Sequence, residues 1–234
     1  MAKLNLADWV ECTEVEGPGK RFALWVQGCL LRCPECCNSH MFDVAPRSIV
    51  ETKEVLTRIA DSKNEHAIEG VSFLGGEPML QARGLSELAR GCKKIGLSVV
   101  VFTGYTFKYL QKNPMPGVSE LLAHTDLLVD GPFVSSKPES KRNWAGSTNQ
   151  QFYFLTNRYR PGIELDPVYS HGFELHVFDD GTLRTNGWPS EISCEPSRGN
   201  SPGADSRYVF SSTRSCEVII PVAKTNNSKS GVLD

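Results

Sequence analysis

The stretch Phe22-Ala23-Leu24-Trp25-Val26-Gln27-Gly28-Cys29-Leu30-Leu31-Arg32-Cys33-Pro34-Glu35-Cys36-Cys37-Asn38 decides how this chain is read. Phe22 to Val26 is a continuous apolar run, the pattern of a buried strand, and it feeds directly into a loop holding Cys29, Cys33 and Cys36. Thiolates are soft donors suited to iron-sulfur clusters. A [4Fe-4S] cube takes four ligands, so a loop supplying three leaves one iron open for chemistry. Structural zinc would want a closed four-ligand shell with a second pair at knuckle spacing, and the sequence has no such pair.

Outward from this loop, apolar strands alternate with amphipathic helices. Val55, Leu56, Ile59 and Ala60 mark one helix face, and Val71 to Leu74 is the next strand. Leu85, Leu88, Ala89, Cys92 and Ile95 recur at helical spacing before the strand Leu97 to Phe102. A helix from Val118 to His124 then leads to the strand Asp126 to Val129. Such alternation predicts parallel strands joined by helical crossovers. In these folds reactive groups gather where the strands end, and the cysteine loop, Gly75-Gly76-Glu77-Pro78, Thr103-Gly104 and Asp130 all fall at such ends.

Lys and Arg number 25 against 27 Asp and Glu, and they are interspersed, so no basic stripe exists to hold nucleic acid. The start, Met1 to Trp9, has no signal-peptide core, and no apolar run is long enough to span a membrane; a cytoplasmic protein is expected. Five of the eight cysteines lie between Cys12 and Cys37, three of them in one loop. A reducing compartment and a metal loop explain this better than a disulfide framework.

The cysteine spacing and Gly75-Gly76-Glu77-Pro78 resemble the radical S-adenosylmethionine (SAM) superfamily. Four further stretches narrow the match: Val15-Glu16-Gly17-Pro18-Gly19-Lys20-Arg21, Phe102-Thr103-Gly104-Tyr105, Asp126-Leu127-Leu128-Val129-Asp130-Gly131-Pro132-Phe133, and Trp144-Ala145-Gly146-Ser147-Thr148-Asn149-Gln150. In this order they most resemble the activating enzymes of glycyl-radical enzymes, above all the anaerobic ribonucleotide reductase activating proteins, over roughly residues 11 to 157. The resemblance implies an α/β fold, a partial open (β/α) barrel. A core of residues 1–157 is then followed by an extension of residues 158–234. Within the extension, Phe173 to Phe178, Asp179-Asp180-Gly181 and Thr182 to Thr185 predict a small β-hairpin add-on. From Trp188 to Ser215 the chain is rich in Ser, Pro, Gly and Arg, with only Val218 to Val222 strand-like, and a largely mobile tail is expected.

By the same resemblance, Cys29, Cys33 and Cys36 hold the cluster, and SAM chelates the open iron. The Gly75 to Pro78 loop lies on the methionine part of SAM, with Glu77 an acceptor or a local anchor near its ammonium; an ordinary glycine turn before a helix is the plainer reading. Asn38 fits the family pattern beside the cluster. Thr103 and Gly104 are contacts to SAM or a simple turn, and Asp130 faces SAM or a cation, or serves a strand-end turn. Cys37 and Glu35 depart from the pattern; Cys37 is a non-ligand packed near the cluster or a redox-sensitive thiol. The segment Arg142 to Gln150 closes the sheet edge. No side chain is expected to act as an acid or base.

The implied function is reductive cleavage of SAM to methionine and a 5'-deoxyadenosyl radical, fed by a donor such as flavodoxin or ferredoxin. The radical then takes hydrogen from a glycine of a partner such as an anaerobic ribonucleotide reductase. A radical SAM enzyme modifying a peptide or a nucleotide-derived substrate is the alternative within the superfamily. A non-catalytic iron-sulfur electron carrier or sensor is the alternative outside it, and it would give Gly75 to Pro78 no purpose.

Overall fold

The computed structural model describes residues 2–170, 172–177 and 183–187. Its centre is a seven-stranded sheet with strands β1 (Lys3–Thr13), β2 (Arg21–Val26), β3 (Ser48–Glu51), β4 (Gly70–Gly75), β5 (Ser98–Phe102), β6 (Leu127–Asp130) and β7 (Gln151–Phe154), in the order β3-β1-β2-β4-β5-β6-β7. The four central strands, β2, β4, β5 and β6, run parallel, and β1, β3 and β7 add antiparallel pairs at the two sides. The sheet is mixed and has two free ends.

The parallel strands read as expected because each is mostly apolar and buried: Val71, Phe73, Val99, Val101 and Leu128 have no exposed surface. Helices α1 (Thr52–His66), α2 (Ala82–Lys94), α3 (Phe107–Lys112) and α4 (Val118–Ala123) cover one face. Val55 and Ile59 of α1, Leu85, Leu88 and Cys92 of α2, and Leu121 of α4 meet Phe22, Leu24, Val71 and Phe73 in one core. Close approach is written into the glycines here. A Cβ on Gly84 would meet Leu4 at 2.7 Å, and one on Gly91 would meet Leu56 at 2.6 Å. The other face of the sheet carries a smaller cluster of Val10, Ala23, Trp25, Met41 and Leu74.

At the start of the parallel strands Arg21 is fully buried and forms no ion pair among the described residues. Its guanidinium donates to Ser72 Oγ (2.8 Å), the Pro18 carbonyl (2.8 Å), the Tyr159 hydroxyl (2.9 Å) and the Val71 carbonyl (2.6 Å). Burial draws its pKa down, and neutral acceptors replace the lost water. Tyr159 lies just beyond the boundary expected at residue 157, so the core borrows from the extension. Asp126, also fully buried, ties α2 to β5 by accepting from Lys93 Nζ (2.7 Å) and the Val99 N–H (2.8 Å).

The expected hairpin is present as β8 (Phe173–Val177) and β9 (Leu183–Gly187), paired antiparallel. It docks on the β1–β2 connection. Asn186 Nδ2 donates to Thr13 Oγ1 (2.8 Å), and the Gly187 N–H to Glu16 Oε1 (2.8 Å). The Asp179-Asp180-Gly181 turn and everything from Trp188 onward lie outside the described residues. Among the described residues no helix is long and apolar enough to cross a membrane.

Candidate functional site

Because β2, β4, β5 and β6 are parallel and in register, their carboxyl ends form one rim, and the sequence motifs meet there. The cysteine loop leaves β2 at Val26. It turns through positive φ at Gly28 (102°), Arg32 (48°) and Glu35 (59°). Left-handed backbone costs a non-glycine residue about 1–2 kcal/mol, and such conformations persist where surrounding contacts enforce them. The loop returns through backbone bonds from Gly28 N–H to the Met41 carbonyl (2.9 Å) and from Cys29 N–H to the Phe42 carbonyl (3.1 Å).

Gly75 and Gly76 press backbone to backbone against that loop. The Gly76 N–H donates to the Val26 carbonyl and the Glu77 N–H to the Gly28 carbonyl, both at 2.8 Å. A Cβ on Gly76 would lie 2.3 Å from the Gly28 carbonyl oxygen, and one on Gly75 would lie 2.4 Å from the Val26 nitrogen. The glycines are therefore demanded by the cysteine loop itself, a reason the sequence reading did not give. Gly76's own carbonyl accepts no hydrogen bond among the described residues. Asn38 Nδ2 reaches the Gly75 carbonyl at 3.4 Å.

Glu77 is 1 % exposed, and its carboxylate is fully engaged. Oε1 accepts from the Met79 N–H (2.9 Å) and the Thr103 hydroxyl (2.7 Å), and Oε2 accepts from the Gly104 N–H (2.8 Å). Glu77 thus caps the short 3-10 turn Pro78–Gln81, with Pro78 in its first turn, and clasps the loop after β5. Burial pushes its pKa up to about 7 against these three hydrogen bonds. Asp130 is 2 % exposed rather than an open strand end; it accepts from the N–H groups of Phe107 and Gln151. Burial raises its pKa.

Cys29 is buried, Cys33 and Cys36 are half-buried, and all are free thiols. Burial raises the Cys33 thiol, the Phe133 N–H opposes this by donating to its sulfur, and Cys36 and Cys29 lie close enough for their charge to add to the rise. The Cys37 thiol hydrogen-bonds Cys36, which draws Cys36 down to about 6 and holds Cys37 well above its ordinary value. Cys37 is exposed as a residue, yet its sulfur is engaged with a neighbour. Three soft donors within electrostatic reach on one strained loop fit an iron-sulfur cube. Among the described residues no three His, Cys, Asp or Glu side chains converge on one metal ion. A cube asks for no such convergence, since each iron takes its own thiolate.

A family described as the 4Fe-4S single cluster domain matches residues 15–153, from Val15 through the cysteine loop and the rim to β7. The chain belongs to this family. As a 4Fe-4S single cluster domain it is also homologous to glycyl-radical activating enzymes of the radical SAM type. It is 31% identical over 159 residues to the anaerobic ribonucleoside-triphosphate reductase-activating protein of Escherichia coli K12, covering 65% of this chain and 99% of that one. The protein of the same name from Enterobacteria phage T4 is 28% identical over 150 residues, 62% of this chain and 91% of that one. Pyruvate formate-lyase 1-activating enzyme of Escherichia coli K12 is 33% identical over 121 residues, 50% of this chain and 47% of that one. The crystal structure of QueE from Escherichia coli aligns with a TM-score of 0.39 and 18% identity over 44% of this chain and 54% of that one, too slight a likeness to decide an architecture.

The sequence motifs did not disclose Phe133 as a donor to Cys33, or Gln81 as a brace. Gln81 Nε2 donates to the Asn5 and Gln27 carbonyls (2.9 and 2.8 Å), joining β1 to the root of the cysteine loop. Nothing in a polar residue beside a helix start distinguishes such a brace from a solvated side chain.

Proposed function

We propose that this chain is a radical SAM activating enzyme that installs a glycyl radical on a partner protein, of which an anaerobic ribonucleotide reductase is the leading example. The observation that carries it is the backbone-to-backbone union of the three-cysteine loop with Gly75–Gly76 at one rim of four parallel strands. Cys29, Cys33 and Cys36 are the residues that hold a [4Fe-4S] cluster. A cluster held there would supply the one electron that cleavage of SAM to methionine and a 5'-deoxyadenosyl radical requires, the radical being the species that would take a hydrogen atom from glycine.

In this reading the chain's own residues orient rather than titrate. Gly76 offers the SAM ammonium a carbonyl that accepts no hydrogen bond among the described residues, Asn38 braces the Gly75 carbonyl, and Pro78 starts the turn behind them. Glu77 and Thr103 fix the rim by bonding each other, and Asp130 anchors α3 and β7, so we assign these three to positioning. The open mixed sheet is taken as a partial (β/α) barrel of residues 1–157, with the hairpin as an extension. The free cysteines Cys12, Cys29, Cys33, Cys36, Cys37 and Cys92 support a reducing, cytoplasmic setting. Homology to activating enzymes supports a protein partner, and an external reductant is required to supply the electron.

The test is anaerobic reconstitution, iron counting, reduction, and assay of 5'-deoxyadenosine from SAM. A glycine-centred electron paramagnetic resonance signal in an added glycyl-radical partner is the expected result. Cleavage of SAM with modification of a peptide or nucleotide instead would overturn the partner assignment, and a cluster that never cleaves SAM would overturn the whole reading.

A further inference from the structure

The stretch Trp144-Ala145-Gly146-Ser147-Thr148-Asn149-Gln150 takes no part in the roles assigned above, yet its polar side chains converge on the loop that follows β6. Gln150 Nε2 donates to the Gly131 carbonyl (3.2 Å) and Asn149 Nδ2 to the Pro132 carbonyl (2.8 Å), while the Val134 N–H donates to Ser147 Oγ (3.1 Å). Gln150 Oε1 in turn accepts from the Gly146 and Ser147 N–H groups (2.8 and 3.1 Å), so the stretch is tied to itself as well as to the loop. Ser147 has no exposed surface. On the loop's other side the Gly131 N–H donates to the Tyr105 carbonyl (3.2 Å).

Gly131, Pro132 and Val134 are thus pinned. The residue between them, Phe133, is the one whose N–H donates to the Cys33 sulfur. With its neighbours held on both sides, the Phe133 amide has little freedom to turn away. Asn149 shows that more than stability is served, because its Oδ1 is buried and accepts no hydrogen bond among the described residues. Buried acceptors are ordinarily satisfied and costly when they are not, so the Asn149 bond to Pro132 is kept in spite of that cost. An N–H directed at a cluster thiolate stabilises the negative charge that reduction adds, and hydrogen bonds to the sulfurs are among the determinants of a cluster's potential.

We propose that Ser147, Asn149 and Gln150 are positioning residues that hold the Phe133 N–H on the Cys33 sulfur and so raise the reduction potential of the cluster ligated there. This rests on the reading of Cys33 as a cluster ligand. One electron from an external reductant is taken up in the couple, the Phe133 nitrogen keeps its proton, and no covalent bond forms or breaks.

The test is a mediated dithionite titration of the anaerobically reconstituted protein, with the reduced cluster counted by its electron paramagnetic resonance signal. Ser147→Ala and Asn149→Ala leave the net charge unchanged, so a new charge cannot imitate the effect. Each should disfavour reduction on the order of tenfold, a potential about 59 mV more negative for one electron. Asn186→Ala, which breaks a buried hydrogen bond to Thr13 instead, should keep the wild-type potential. In the apo-protein, amide exchange at Phe133 followed by nuclear magnetic resonance should quicken in Ser147→Ala and Asn149→Ala and not in Asn186→Ala. A wild-type potential in iron-replete Ser147→Ala and Asn149→Ala, or the same shift in Asn186→Ala, would overturn the brace. So would unchanged exchange at Phe133 in the two apo variants, whether or not they load iron. Full iron retention by Cys33→Ala would instead sink the ligand reading, so the two failures are distinguishable.

Discussion

Replacing Glu77 by Gln should destabilise the fold strongly, and by an amount that depends on pH. The carboxylate accepts three hydrogen bonds at 2.7–2.9 Å in a site that is 1 % exposed. Gln keeps one acceptor oxygen for Met79 and Thr103 but turns an amide N–H toward the Gly104 N–H. At pH 5 the protonated acid can give its one proton to the Thr103 hydroxyl and still accept from Gly104, whereas Gln loses that bond and leaves two donors facing each other in a buried site, a cost of about 2–6 kcal/mol at about 1–3 kcal/mol per unsatisfied group. Glu77's folded pKa of about 7 stands above its ordinary 4.5. The folded state therefore binds more protons than the unfolded state between these values, and wild-type stability declines as pH rises through that window. At about 1.4 kcal/mol per pKa unit the decline is about 3 kcal/mol, and the Glu77→Gln variant, with no proton to lose there, cannot show it. The gap between wild type and variant should thus be widest near pH 5 and narrow toward pH 8. Urea unfolding of the apo-protein followed by far-ultraviolet circular dichroism at both pH values measures it. A variant within 0.5 kcal/mol of wild type at both, on the roughly ±0.5 kcal/mol scale of inconsequential surface changes, would refute the clasp.

Replacing Cys29, Cys33 or Cys36 by Ala should remove cluster absorbance and bound iron after reconstitution, whereas Cys37→Ala should keep both; iron counting decides it. Gly76→Val places carbon 2.3 Å from the Gly28 carbonyl, so it should displace the cysteine loop and lower iron retention as well as SAM affinity. Retention of full iron with only SAM binding impaired would show that the loop yields more easily than its backbone contacts imply. Asp126→Ala leaves the buried Val99 N–H without its acceptor while Lys93, 36% exposed, turns to water, and should cost about 1–3 kcal/mol in chemical denaturation, the range for one unsatisfied buried group. Asn186→Ala removes the buried bond to Thr13 and should hasten amide exchange across Thr13–Glu16 without altering exchange in β4 or β5.

Much of the architecture was legible because the central parallel strands are buried on both faces and so read as mostly apolar runs. Those strands, α1, α2, α4 and the hairpin emerge near their expected places. β1 escaped because register shifts between Leu6 and Asp8, and between Val10 and Thr13, break the period of two that would mark it. β3 and β7 are four residues each, and α3 is six, too short for any period to declare itself. These are also the elements that make the sheet mixed, so a reading built on repeated βα units captured its centre and not its edges. Arg21 was the least legible residue of all. A basic residue at a strand start ordinarily signals solvent, and only the assembled fold supplies Ser72, Tyr159 and the carbonyls that let it be buried.

The site was legible in location more than in role. Glu77, Thr103 and Asp130 each carried two readings, a ligand contact or an anchor or turn, and the packing supplies the second: Glu77 bonds Thr103, Gly76 yields to Gly28, Asn38 reaches Gly75, and Asp130 holds Phe107 and Gln151. Each of these contacts joins the end of one strand to the loop of another. A rim built this way has already met the conformational cost of ordering its loops before any small molecule arrives, and preorganisation lowers what binding must overcome. The same economy explains why side-chain acids and bases are absent from the proposed chemistry. Where a bound cofactor carries the difficult step, what the protein must contribute is a fixed geometry, and carboxylates consumed in holding loops together supply it.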